Sequence, residues 1–256
     1  MTVLLEARQL TVSIGGREVC RRLDLALAPG ERLAILGRNG AGKSTLLSTL
    51  AGLRPPESGE VLLAGRTYAS WGVRAAAQQR GWMAQSQADP FSSTVLESAM
   101  TGRHPHLGRW DWESQADADL ARAALAEVGL AGMERRETPS LSGGERQRLS
   151  LATLLTQAPQ LYLLDEPLAH LDLSHQIAVL DILARRAREG AAGLAMVLHE
   201  PGLAARYCDQ ALLLYGDGSW EAGPVAEVLT AAHLSRLYGH PLKEVTDGAE
   251  RWFIPA

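Results

Sequence analysis

Ten residues constrain this chain more than any others: Leu36-Gly37-Arg38-Asn39-Gly40-Ala41-Gly42-Lys43-Ser44-Thr45. They follow a short apolar run, Arg32 to Leu36, and lead into Leu46, Leu47, Leu50 and Leu53. The order is strand, glycine loop, helix. Gly37, Gly42, Lys43 and Ser44 meet the spacing G-x-x-x-x-G-K-[ST], in which inward-facing backbone N–H groups and a helix N-terminus attract phosphate. Lys43 is expected to reach the outer phosphates, and Ser44 to set its hydroxyl on Mg²⁺. Asn39, Gly40, Ala41 and Thr45 complete the cradle.

A second constellation lies at Leu161-Tyr162-Leu163-Leu164-Asp165-Glu166-Pro167. An apolar strand ending in two acids places carboxylates at the edge of a parallel sheet where ligands bind. Asp165 suits Mg²⁺, which takes few protein oxygens and keeps several waters. Glu166 is placed to orient and deprotonate an attacking water. The remaining apolar run at Leu194–Leu198 also fits a buried parallel strand.

Around these signals the chain reads as α/β. Residues 3–14 and 21–27 alternate as strands about the turn Gly15-Gly16, Glu60–Leu63 is a short strand, and Trp82-Met83-Ala84 is another that ends on Gln85. From about 88 to 157 the pattern turns helical, with amphipathic stretches at Asp117–Val128 and Gly144–Leu155. This block is expected to be a helical subdomain inserted into a core made of 1–87 and 158–256. Ser174–Arg188 reads as a helix with Ser174 as its cap. The tail reads as a hairpin over Ala211–Ala222 turned by Gly216-Asp217-Gly218, helices at Val225–Leu229 and His233–Tyr238, and a final strand at Glu250–Ile254.

Composition narrows the function. The net charge of −4, from 25 basic and 29 acidic residues, argues against nucleic acid as a partner. Cys20 and Cys208 are the only cysteines and have no metal-ligand spacing, which fits a reducing compartment. Met1–Leu10 lacks a signal-peptide layout. No apolar run approaches the roughly 18 residues that span a bilayer.

A third motif, Leu141-Ser142-Gly143-Gly144-Glu145-Arg146-Gln147-Arg148, is a two-glycine loop opening a helix, hence another anion-binding helix N-terminus. LSGGERQR, GRNGAGKST and LYLLDEP together, in this order and spacing, resemble the ATP-binding cassette (ABC) family of ATPases over nearly the whole chain. The resemblance implies a P-loop NTPase (RecA-like) core with an N-terminal antiparallel β subdomain and an inserted α-helical signature subdomain. It implies ATP and Mg²⁺ as ligands. It also implies a head-to-tail homodimer, in which Ser142, Gly143 and Gly144 of one copy cover the nucleotide held by the other. Gln85 matches the family's Mg²⁺-touching glutamine, which also senses the transmembrane partner. Asp172 lies in the loop that crosses to the second subunit, and His199 matches the histidine at the γ-phosphate. One position departs: where the family stacks adenine on an aromatic ring, this chain has Ile14.

Among ABC proteins, a single cassette with no membrane span is similar to importer motors built from separate subunits. Translation-associated members carry two cassettes, chromosome-maintenance members a long coiled coil, and zinc-bearing repair members clustered cysteines. Gly102, Arg103, Pro105 and His106 match a turn of the group that energises uptake of iron–siderophore, haem and vitamin B12 complexes. That turn is expected at the surface, facing the transmembrane subunit. The resemblance then implies two permease subunits, a periplasmic or surface-anchored substrate-binding protein, and a peripheral location on the cytoplasmic face of the inner membrane. Another transporter class, or a soluble ABC ATPase, stays open as the alternative.

Overall fold

The computed structural model describes residues 3–85, 92–248 and 250–256. The chain opens with antiparallel strands β1 (Leu5–Ile14) and β2 (Arg17–Leu27). Gly15 and Gly16 join them, both in the left-handed region with φ of 58° and 78°. That two-residue turn lets pairing begin at once, with Ile14 opposite Arg17, so β2 starts earlier than alternation alone suggests. β3 (Arg32–Gly37) runs into the glycine loop and α1 (Lys43–Leu50). Next come β4 (Ser58–Leu63), β5 (Arg66–Thr67), the short helices α2 (Tyr68–Trp71) and α3 (Val73–Gln79), and β6 (Arg80–Met83).

The helical block holds α4 (Val95–Met100), a 3₁₀ turn over Thr101–His106, α5 (Gln115–Glu127) and α6 (Gly143–Gln157). Three serine or threonine caps start these helices, and each forms a reciprocal box: Thr94 with Glu97, Ser114 with Asp117, and Ser142 with Glu145. The chain then returns through β7 (Leu161–Leu164), α7 (Leu173–Gly190), β8 (Gly193–Val197), α8 (Pro201–Tyr207), β9 (Gln210–Leu214) and β10 (Trp220–Pro224). It closes with α9 (Val225–Val228), α10 (Ala231–Tyr238) and the hairpin β11 (Leu242–Asp247) and β12 (Glu250–Pro255).

The central sheet has the order β10-β9-β3-β8-β7-β6. It is parallel from β9 to β6, with β10 antiparallel at one edge. Its strands are apolar on both faces because both are covered. Leu33, Ile35, Leu161 and Leu163 point into one core with α1 and the antiparallel sheet β2-β1-β4-β5. Ala34, Leu36, Tyr162 and Leu164 point into a second core that runs on into α5, α6 and α7. The parallel strands therefore end together, with the phosphate loop after β3 and the acids after β7 at one rim.

Two expectations need correction. Ser174 does not cap α7: Asp172 does, accepting from the His175 amide at 2.9 Å, while Ser174 Oγ donates to the same carboxylate. An aspartate offers a full negative charge to the helix N-terminus and outcompetes a hydroxyl two positions on. The Gly102-Arg103-His104-Pro105-His106 turn keeps the His104 side chain 61% exposed while its neighbours pack against the protein. Arg103 pairs with Asp117 at 2.8 Å, His106 Nε2 lies 2.9 Å from the Gln157 carbonyl, and Arg74 and Gln78 both donate to the Pro105 carbonyl. A Cβ on Gly102 would sit 2.2 Å from the Thr153 carbonyl oxygen, so the glycine is required by close packing on α6. Lastly, the strand expected at Trp82–Ala84 begins at Arg80 and ends at Met83. Of the helical block expected over 88–157, residues 88–91 lie outside the described residues.

Candidate functional site

Gly42 caps α1 in the left-handed conformation (φ 94°, ψ 18°) and has no side chain to offer the helix. The first turn of α1 carries no acidic residue either. Its N–H groups are therefore left for an external anion. A Cβ on Gly42 would meet Val19 at 2.5 Å, whereas the space around Gly40 is open. The Lys43 ammonium is buried and donates to the Gly37 and Arg38 carbonyls at 2.9 and 3.2 Å. Burial pulls its pKa down, and Glu166 and Asp165 pull the other way.

Facing the loop, Ser44 Oγ donates to Asp165 Oδ1 at 3.0 Å. Burial pushes the Asp165 carboxyl up, opposed first by the Ser44 hydrogen bond. Glu166 Oε1 lies 2.8 Å from His199 Nε2, and Glu166 Oε2 accepts from Gln85 Nε2 at 3.0 Å. Both carboxylate oxygens are thus steered by a neighbour, and the Gln85 carbonyl oxygen is left for another ligand. Ser44, Asp165 and Gln85 together present a hydroxyl, a carboxylate and an amide oxygen. That all-oxygen set suits a hard divalent cation such as Mg²⁺.

Ser44, Gln85, Glu166 and His199 line one cleft of about 640 Å³, with Asp165 buried behind Ser44. Asn39, Gly40, Gly42 and Thr45 line it with Lys43 and Ser44, and Ile14 stands at its wall, 46% exposed. Two sequence candidates act from behind. Ala41 is buried and its amide donates to the Arg38 carbonyl at 3.0 Å. Gly37 contributes its carbonyl to Lys43, and a Cβ there would lie 2.8 Å from the Leu214 carbonyl oxygen.

The remaining candidates are elsewhere. Ser142, Gly143, Gly144 and Asp172 line a second cleft of about 410 Å³ that shares no residue with the first. There the Ser142 hydroxyl accepts from the Glu145 amide, which leaves its own proton free to donate. Asp172 is tied to Ser174 and to both the amide and Nδ1 of His175, and these bonds hold its carboxyl well below the usual range. The two groups of candidates therefore line separate clefts of one chain.

One residue escaped sequence reading. Gln147, buried in α6, donates from Nε2 to the Glu166 carbonyl at 2.9 Å. Its position inside the LSGGERQR run marks it, but nothing in spacing says where its amide points. Among the described residues, no group of three or more His, Cys, Asp or Glu is placed to hold an ion.

Comparison with known proteins agrees with this geometry. The ABC transporter family model matches residues 20–169. The hemin import ATP-binding protein HmuV of Thermobifida fusca is 41% identical over 249 residues, covering 96% of this chain and 85% of that protein. Its namesake from Nocardia farcinica is 42% identical over 252 residues, with the same coverage. Among solved structures, a chain described as part of a metal-chelate type ABC transporter in an inward-facing conformation superposes with a TM-score of 0.87 at 28% identity, covering 99% of this chain and 98% of that one. A dimeric ATP-binding cassette bound to ADP and Pi shares the fold alone, with a TM-score of 0.75 at 21% identity over 86% of this chain and 98% of that one. The phosphate loop, the acidic strand end and the matched family model together place this chain in the ABC transporter family, as an ATP-hydrolysing subunit.

Proposed function

We propose that this chain is the motor of an importer for a metal chelate, haem first, with an iron–siderophore or cobalamin as the other cargoes of that class. The observation that carries this reading is the 41–42% identity, over 96% of the chain, to proteins named for hemin import. The inward-facing metal-chelate type neighbour supports it.

In this reading the whole chain is one nucleotide-binding unit, with 88–157 as its helical subdomain. The N–H groups from Gly37 to Thr45 and the Lys43 ammonium hold the phosphates of ATP. Ile14 gives the base an apolar wall without a ring to stack on. Ser44, Asp165 and Gln85 would hold Mg²⁺, which would neutralise phosphate charge when bound. Glu166 accepts a proton from the water that attacks the γ-phosphorus, as the P–O bond to ADP breaks. Gln85 and His199 hold that carboxylate over the cleft, and His199 reaches the γ-phosphate.

A second copy completes each site by setting its Ser142, Gly143 and Gly144 on the γ-phosphate and its Asp172 across the interface. The homodimer sits peripherally on the cytoplasmic face of the inner membrane under two permease subunits, which a substrate-binding protein loads. Among the described residues, no helix is long and apolar enough to cross a membrane. The cargo touches the other subunits, not this one.

The test is reconstitution of the chain with its permease subunits and binding protein in vesicles, followed by ATP-driven uptake of haem, a ferric siderophore and cobalamin in parallel. Haem uptake that stops with Glu166→Gln is the expected result. ATP-driven export, or no uptake of any of the three despite ATP turnover, would refute the importer reading.

A further inference from the structure

The Glu166 backbone lies in the left-handed region, with φ of 52°. A residue with a side chain holds that conformation only where its surroundings secure it. The carbonyl is secured by two donors: the Ala169 amide at 3.2 Å, from the same turn, and Gln147 Nε2 at 2.9 Å, from α6. The carboxylate of Glu166 meanwhile points into the phosphate cleft, against His199 and Gln85. Gln147 thus grips the main chain of the residue whose side chain faces the nucleotide.

Gln147 stands a little over one turn inside α6, and that helix begins at Gly143 on the other cleft. Beside Gln147, the start of α6 also packs against the loop that follows Glu166. A Cβ on Gly144 would lie 3.1 Å from the His170 carbonyl oxygen, and one on Gly143 would lie 3.5 Å from His170 Cβ. His170 is itself left-handed, with φ of 63°, in the short loop between Glu166 and Asp172. The start of α6 and the Glu166 main chain are therefore joined by a hydrogen bond and a closely packed loop. Gln147 is 8% exposed, which limits the access of any water that would replace its donor.

We infer that Gln147 is a positioning residue that ties the aim of the Glu166 carboxylate in one composite site to the seating of the α6 N-terminus on the nucleotide of the other. The inference rests on the proposed dimer and on Glu166 as proton acceptor. It adds a route by which one site's closure is felt at the second, through this chain's own main chain.

The test compares Gln147→Met, which keeps length and bulk but removes the donor, with Gln147→His, which restores an N–H the same number of bonds from the backbone. Each is measured in the full chain for kcat, KM, the Hill coefficient for ATP, ATP binding and thermal midpoint. The expected result for Gln147→Met is a kcat lower by about 3–10-fold, the effect of one buried hydrogen bond. KM, ATP binding and midpoint hold, the Hill coefficient moves toward one, and Gln147→His recovers most of the loss. Unchanged kcat and Hill coefficient in Gln147→Met would overturn the inference. So would a loss of kcat that tracks a fall in midpoint and is not recovered by Gln147→His, since that is the signature of packing alone. Glu166→Gln is run beside them: if it retains turnover, the underlying assignment of Glu166 fails, which is a different failure.

Discussion

Ser44 Oγ donates to Asp165 Oδ1 over 3.0 Å, joining the first turn of α1 to the end of β7 across 121 positions of sequence. The contact exists because β3 and β7 both flank β8 in a parallel sheet, so their following loops emerge at the same rim. It brings a hydroxyl and a carboxylate within reach of one small cation. Asp165→Asn removes the charge and keeps the shape. The Mg²⁺ concentration for half-maximal ATP turnover is expected to rise by about tenfold or more, the effect of losing at least ~1.4 kcal/mol of binding. A Mg²⁺ titration of turnover checks this, with EDTA abolishing activity in both proteins.

Gly42→Ala should damage the phosphate loop more than its size suggests. Alanine would have to adopt a φ of 94° and place its methyl 2.5 Å from Val19. The backbone alone costs about 1–3 kcal/mol for a residue with a side chain. Denaturant unfolding is expected to show at least that loss, and calorimetry a weakened affinity for ATP.

Ile14 predicts loose selection of the base. It is the apolar wall of the cleft, and an aliphatic side chain reads neither base edge. ATP and GTP should be turned over with similar kcat/KM. Ile14→Tyr should tighten both by about tenfold, since stacking on an aromatic ring contributes ~1–3 kcal/mol. A strong preference for ATP, unaltered by Ile14→Ala, would contradict the prediction.

Asp117 links stability to acid. Its carboxylate accepts from the Ser114 hydroxyl and amide and from Arg103. Those bonds, Ser114 first, hold its pKa down to about 2 from 3.8. Because the folded pKa is depressed, the stabilisation is fully present above the unfolded pKa and is lost as pH falls toward 2. Asp117→Asn should be less stable than the parent near neutrality, with the difference closing between pH ~4 and ~2. Urea unfolding at several pH values checks this.

Much of this architecture was legible because its local signals agree. Gly37 to Thr45 announces strand, loop and helix, and the apolar runs at Leu161 and Leu194 announce covered parallel strands. The hairpin at Gly216-Asp217-Gly218 is likewise found as β9 and β10. The elements left unread had weaker patterns. β11, Leu242–Asp247, has only Leu242 and Val245 as apolar residues and is largely exposed. α8 is short, although Pro201 at its first position is a helix-start signal. The hydroxyl of Ser174 is a cap signal in isolation, but Asp172 two residues before it serves better. What no spacing could give is orientation: that Gln147 turns toward the Glu166 carbonyl, or that Arg103 turns inward to Asp117, follows from how α6 and α5 pack.

In the proposed dimer, one chain holds halves of two different sites. The direct measurement mixes two chains, each inactive alone: Lys43→Ala, which loses its phosphate half, and Ser142→Arg, which blocks its signature half. A mixed dimer restores one intact site, from the Lys43 of one copy and the Ser142 of the other. ATP turnover that emerges on mixing, and is absent from either protein at the same total concentration, is the predicted result. Turnover no higher than the average of the two alone would contradict it.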